Sequence, residues 1–160
     1  LKKNPKIKFI CLMPGSTKEN SNYENELNSI IEDNELTDYI RFPGPCFDMP
    51  AAYKISDIVI SAADKPEGFG RIIIESQSME RPVIASAHGG SLELIKNNYN
   101  GLLFKPKSEQ DLADKIKYLL LLPQKEKQKI VKRAKEFVNK KYNVDNMCEL
   151  NFKLYNSIIK

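Results

Sequence analysis

The feature that most constrains this chain is an alternation. Short apolar runs rich in β-branched residues occur at Lys6 to Leu12, Tyr39 to Phe42, Asp57 to Ile60, Pro82 to Ala85 and Gly101 to Phe104, and helical patterns or turns separate them. Strands that are apolar on both faces must be covered on both, and strands that alternate with helices are joined by crossovers that make them parallel. The expected fold class is therefore α/β: a Rossmann-like, three-layer domain with a mostly parallel sheet. Five strands make a modest sheet, that of a doubly wound unit missing its first strand. No repeat, low-complexity stretch or long linker interrupts the chain, so one domain is expected over 1–160, with 123–160 supplying its C-terminal helices.

The helices are read from apolar spacing and end signals. One is expected over Asn22 to Asp33, with Tyr23, Leu27, Ile30 and Ile31 on one face, and a short one over Pro50 to Ile55. Another runs from about Gly70 to Met79. Ser108 with Asp111 three residues on resembles a capping box, opening a helix to about Leu121 that Pro123 breaks. Two more follow, Gln124 to Asn139 and Val144 to Ile159, the last with Met147, Leu150, Leu154 and Ile158 at spacings of three and four.

Composition narrows the chemistry. His88 is the one histidine, so a His-rich zinc site or a histidine relay is hard to assemble from this chain. Cys11, Cys46 and Cys148 are odd in number and far apart, which points to a reducing compartment, the cytoplasm by default. The purely apolar run Leu119 to Leu122 is far short of the ~20 residues that span a bilayer. Residue 1 is Leu, and the chain opens almost directly on a strand-like stretch, so a piece of something longer, truncated at its N-terminus, is expected.

Charge is uneven: residues 1–100 carry a net −3 and residues 101–160 a net +7. Eight Lys or Arg between Lys125 and Lys141 face only Glu126 and Glu136. Nucleic acid or an anionic membrane surface is one reading of such a stretch. A solvated helix face is the preferred one, because Ile130, Ala134, Phe137 and Val138 interrupt the lysines at helical spacing.

Ligands of open α/β sheets bind beyond the carboxyl ends of the strands, so the loops there carry the search. Four qualify: Met13 to Asn20, Pro43-Gly44-Pro45-Cys46, Ser61 to Gly70, and Ser86 to Ser91 with His88-Gly89-Gly90. In the third, Glu67-Gly68-Phe69-Gly70-Arg71 runs into a helix that carries Glu75. Two glycines allow close backbone approach, and the helix start behind them offers unpaired N–H groups and partial positive charge. That is a seat for a phosphate. Glu67 and Glu75 would repel the phosphate itself and suit hydroxyls on either side of it, a layout that fits two sugars flanking a diphosphate. Ile73 stands where G-x-G-x-x-G needs its third glycine, and neither a G-x-x-x-x-G-K-[ST] loop nor the Asp-x-Asp pair of metal-dependent sugar transferases occurs. No metal site is indicated.

Glu67-Gly-Phe-Gly-Arg-Ile-Ile-Ile-Glu75, followed by Ser76-Gln-Ser-Met-Glu-Arg-Pro-Val-Ile-Ala-Ser86, resembles the E-x7-E signature of the family 4 (group 1) glycosyltransferases. Ile40 to Pro45, Tyr53-x3-Asp57, Gly89-Gly90 with Glu93, Asn100 to Phe104, and Lys141 to Val144 also resemble family motifs, so the likeness covers essentially the whole chain. The resemblance implies the GT-B fold, of which this chain would be the C-terminal half, binding a nucleotide-sugar donor. It implies that Glu67, the catalytic candidate, holds hydroxyls of the transferred sugar. Backbone N–H groups of Gly68, Phe69, Gly70, Arg71 and Ile72 would meet sugar and diphosphate, Glu75 the ribose, and the turn at Gly44 to Cys46 the base.

It further implies a retaining, metal-independent hexosyl transfer from an NDP-sugar, in the UDP or GDP form, to a lipid or glycan acceptor, as in cell-envelope polysaccharide or lipopolysaccharide synthesis. No cofactor is expected beyond the donor, and no nucleic acid. Peripheral contact with the inner face of the membrane would suit a lipid acceptor. The Arg and Lys that family members bring to the diphosphate precede Leu1 in the family pattern, and the acceptor domain lies outside this chain. The chain alone is thus expected to be an inactive half. Arg71, where many members have Leu, reads equally as local positive charge or as a surface residue, and His88 as a loop residue near the donor. The alternative function is a non-catalytic nucleotide-sugar-binding subunit that pairs with a separate acceptor-domain protein.

Overall fold

Each of the five apolar runs contributes a strand in the computed structural model, which describes residues 8–15 and 21–159. The strands are shorter than the runs: β1 (Cys11–Leu12), β2 (Ile40–Arg41), β3 (Val59–Ser61), β4 (Val83–Ser86) and β5 (Leu102–Phe104). Lys6 and Ile7 of the first run, and Ser16 to Asn20 of the first loop, lie outside the described residues. The helices are α1 (Ser21–Asp33), α2 (Met49–Ile55), α3 (Arg71–Ser78), α4 (Ser91–Leu94), α5 (Glu109–Leu121), α6 (Gln124–Lys141) and α7 (Val144–Ile158). Only the four-residue α4 was not anticipated.

Every strand pair is parallel, as the alternation requires. The single five-stranded sheet is not formed, however: the described strands make a two-stranded sheet, β1-β2, and a three-stranded one, β3-β4-β5. Correspondingly, contacts divide the chain into two compact units, Leu1–Ala52 and Tyr53–Lys160, each described by itself below.

In the first unit, Cys11 pairs with Ile40 and Leu12 with Arg41. Beyond the strand ends, Met13 N–H donates to Arg41 O at 3.0 Å and Gly15 N–H to Gly44 O at 3.0 Å, which ties the two following turns together. Gly44 has φ +79°, a left-handed conformation that glycine adopts without strain. Phe9 and Tyr39 stack with centroids 5.0 Å apart. Of the four residues assigned to the inner face of α1, Ile31 is buried and Leu27 half-buried, while Tyr23 and Ile30 are exposed. The buried stripe is narrower than the sequence spacing implied. Asp48 caps α2, its Oδ1 accepting Ala51 N–H at 3.0 Å.

In the second unit β4 is central and all four of its residues are buried. Pro82 opens the apolar run of this strand yet stands just outside it: it has no N–H for the ladder and contributes its carbonyl, which accepts Val59 N–H at 2.9 Å. Alternation splits the core between the two sheet faces. Val83 and Ala85 join Ile73, Leu94 and Ile95 on one side, while Ile84 joins Leu102, Phe104, Leu119 and Ile130 on the other. Both faces are covered, giving the helix–sheet–helix layering expected. Each fully buried Val, Leu or Ile contributes about 1.5–3 kcal/mol of transfer free energy.

Ser108 caps α5, its Oγ accepting Asp111 N–H at 3.3 Å. The reciprocal half of the box is altered, because Asp111 Oδ2 accepts from Lys105 N–H at 2.7 Å instead. Asn143 caps α7 through Asn146 N–H at 2.7 Å. Helix α6 buries Ile130, Ala134 and Val138, and Lys129, Lys132 and Lys135 form ion pairs with Glu126, Glu136 and Glu80. That is the solvated face preferred from the sequence. Helix α7 departs from expectation: Met147, Leu150, Leu154 and Ile158 are all exposed.

Candidate functional site

The Ser61 to Gly70 loop leaves the carboxyl end of β3 and delivers the chain to α3. Gly70, the residue before the helix, has φ +86° and ψ 58°. A side chain there would be strained, and its Cβ would come within 3.1 Å of Ile73 Cδ1. This left-handed residue sets the angle at which α3 begins. Ile73 N–H bonds back to Gly70 O at 3.1 Å, whereas the N–H groups of Arg71 and Ile72 have no helical carbonyl behind them. No side chain caps α3 and no acidic residue sits in its first turn, so its electropositive end is not neutralised locally.

The second glycine-bearing loop holds the first in place. Gly90 N–H donates to Glu67 O at 2.9 Å. A Cβ on Gly89 would lie 2.5 Å from Glu67 O, and one on Gly90 would lie 2.5 Å from Phe69 O. The two backbones therefore touch with no room for a methyl group. His88 adds a side-chain tie, with Nε2 2.9 Å from Ala63 O and 3.2 Å from Ser86 Oγ. A carbonyl only accepts, so Nε2 carries the proton, and Nδ1 is buried without a partner among the described residues. Ser91 Oγ lies against the carbonyls of Ser86 and His88, 2.7 Å from the latter, with one proton to share between them. Glu67, His88, Ser61, Ser86 and Ser91 line one small pocket beyond the ends of β3 and β4.

Gly68 differs from the other glycines of this cluster. Its backbone is not left-handed, and a Cβ placed on it meets nothing within 4 Å. The fold has no steric need for glycine there. Phe69 is half-exposed and its ring meets Tyr142 edge-on at 5.7 Å, with Tyr142 in turn 5.7 Å from Phe137. Burial, and after it the charge of Glu93, raises the Tyr142 phenol above its ordinary range. The aromatic side chain of the loop is thus committed to the end of α6, and Phe69 offers a ligand chiefly its backbone.

Glu75 lies one turn inside α3. Its Oε1 pairs with Arg71 at 3.2 Å, and its Oε2 accepts the Tyr53 hydroxyl at 2.8 Å. Burial, and next the hydrogen bond to Glu75, pushes the Tyr53 phenol well above the usual range. Arg71 is therefore engaged with Glu75 on an exposed helix face. Sequence reasoning misses Tyr53 at the site: Tyr53-x3-Asp57 resembles a family motif, and nothing local joins it to a carboxylate 22 residues away.

The structure brings Glu67, Gly68, Phe69, Gly70, Arg71, Ile72 and Glu75 onto one loop and helix start in the second unit. Gly44 and half-buried Cys46 belong to the first unit, at the carboxyl end of β2. Among the described residues no three His, Cys, Asp or Glu side chains gather as a metal group, and no helix is long and apolar enough to cross a membrane.

A parallel sheet covered on both faces, with an uncapped helix start beyond the carboxyl end of β3, has the form of a Rossmann-like domain. The family described as "Glycosyl transferases group 1" matches residues 1–137, and the chain belongs to that family. A glycosyltransferase from Rickettsia africae superposes with a TM-score of 0.90 at 36% identity, over 96% of this chain and 41% of that one. The Anabaena protein Alr3699/HepE, solved with UDP and glucose, superposes with a TM-score of 0.87 at 26% identity, over 92% and 40%. Among curated relatives, the putative colanic acid biosynthesis glycosyltransferase WcaL of Escherichia coli is 27% identical over 128 residues, 76% of this chain and 32% of that protein. The fold is that of the C-terminal, Rossmann-like half of GT-B glycosyltransferases, and the chain spans about a third of the length of the curated relatives it matches.

Proposed function

We propose that this chain forms the donor-binding part of a retaining, metal-independent glycosyltransferase, which moves a hexosyl group from a UDP- or GDP-sugar to a lipid or glycan acceptor. The observation that carries the reading is Gly68. It is a glycine with open space where a side chain would go, between a carboxylate and an uncapped helix start, as a ligand that touches backbone requires. The diphosphate sits at the N-terminus of α3, where fixed N–H dipoles stabilise the charge of the leaving group without reorganising. Glu67 accepts hydrogen bonds from hydroxyls of the transferred sugar, and Glu75 from the ribose. The solved relative that holds UDP and glucose supports this class of donor. The acceptor is chosen outside this chain, and the relative named for colanic acid biosynthesis supports a cell-envelope glycan.

The test is calorimetric titration of the full-length protein with UDP-, GDP- and ADP-sugars, beside its Gly68→Ala and Glu75→Ala variants. Binding of one nucleotide class, weakened at least ~10-fold, or about 1.4 kcal/mol, in each variant is the expected result. Undiminished binding in both would overturn the site. Donor binding without transfer to any acceptor would replace the enzyme by a nucleotide-sugar-binding subunit. Transfer abolished by EDTA would remove the metal-independent part of the proposal.

A further inference from the structure

Resting on the donor reading above, the geometry points to Tyr53 as a positioning residue that holds the Glu75 carboxylate ready for the ribose. Tyr53 is 4% exposed, and its hydroxyl donates to Glu75 Oε2 at 2.8 Å. The other partner of this carboxylate is a poor anchor, since the Arg71 side chain is 83% exposed and pairs across 3.2 Å. Exposed pairs of that kind hold geometry weakly, because both long side chains must be ordered against water. Tyr53 is different: its ring is already fixed by burial, so the hydrogen bond orders only the glutamate.

The chemistry leaves space for a ligand. An ionised carboxylate accepts about four hydrogen bonds. Tyr53 and Arg71 take one each, and two acceptor positions remain on a side chain that is 36% exposed. A vicinal diol has two donors. The phenol thus fixes one oxygen from the buried side while the diol approaches from the solvent side.

Tyr53→Phe removes the hydroxyl and keeps the ring. In the full-length protein it should raise the Kd for UDP-glucose or GDP-glucose about three- to tenfold and leave kcat within about twofold. Glu75→Ala should weaken binding more, and adding Tyr53→Phe to Glu75→Ala should change nothing further, since the hydroxyl acts only through that carboxylate. Comparing each donor with its 2′-deoxyribose counterpart supplies a readout that a loss of fold stability would not move. The wild type should prefer the ribose form, and the preference should shrink in Tyr53→Phe.

An unchanged Kd and ribose preference in Tyr53→Phe, with Glu75→Ala weakened, overturns the positioning role alone. So does an additive loss in the double variant. Failure of Glu75→Ala to affect binding, or failure of the wild type to bind either donor, overturns the ribose reading and this inference with it.

Discussion

Replacing Gly90 by alanine tests the central mechanical claim, that two loops locked backbone to backbone hold the donor site. Gly90 has φ −59° and ψ −23°, ordinary right-handed geometry, so alanine meets no conformational penalty and the whole effect is steric. The new Cβ would lie 2.5 Å from Phe69 O, 2.8 Å from Phe69 C and 2.9 Å from Phe69 Cα. Ordinary contact begins near 3.4 Å, so the Glu67 to Phe69 backbone must withdraw by almost an ångström. That movement also stretches the 2.9 Å bond from Gly90 N–H to Glu67 O. Overpacking of this kind costs about 1–3 kcal/mol and a lost backbone hydrogen bond about 1 kcal/mol, so a destabilisation of about 2–4 kcal/mol is expected.

The functional effect should exceed the structural one. A displacement of about 1 Å in a positioning element costs on the order of 10²-fold in rate, and here the displaced atoms flank Gly68 itself. Urea unfolding of the full-length protein gives the first quantity and kcat/KM for the donor the second. Gly68→Ala is the control for stability, with nothing within 4 Å of its Cβ and an expected change within about 0.5 kcal/mol. If Gly90→Ala unfolds at the wild-type urea concentration with kcat/KM unchanged, the loops are not locked and the reasoning fails.

Two other predictions concern stability. Asn100 is buried, its Nδ2 donating to Leu94 O at 3.0 Å and its Oδ1 accepting Lys96 N–H at 2.7 Å, so Asn100→Ala strands two backbone groups. A loss of about 2–4 kcal/mol in denaturant unfolding is expected, and a loss below about 0.5 kcal/mol would contradict the clamp. Tyr53 has its phenol raised in the folded state from an ordinary value near 10. Its contribution is fully present below pH ~10, and above that the unfolded chain releases this proton first, so stability falls as pH rises toward the folded value. Tyr53→Phe should flatten that alkaline loss in unfolding measured from pH 8 to 11, whereas parallel curves for the two proteins would refute the assignment.

What the sequence alone determined is local. The order of the strands and of the longer helices, the Ser108 cap and the glycine-bearing segment from Glu67 to Glu75 running into a helix are written in the pattern of neighbouring residues, and they were legible there. The ends of the strands were less so: Pro82 completes an apolar run, yet its missing N–H puts it outside the ladder. The tertiary structure decided what depends on which surfaces meet. The five strands divide into two sheets because strand pairing is a choice of partners, and each run alone fits any parallel neighbour. Ile30 and Met147 have core-like spacing and are exposed, because periodicity marks a face and not what covers it. Gly89 and Gly90 stand in one of the four candidate loops, and only the fold lays the backbone of Glu67 to Phe69 against them. Tyr53 became part of the site only when folding carried its hydroxyl to Glu75, for a hydrogen bond between residues so far apart leaves no pattern in the chain between them.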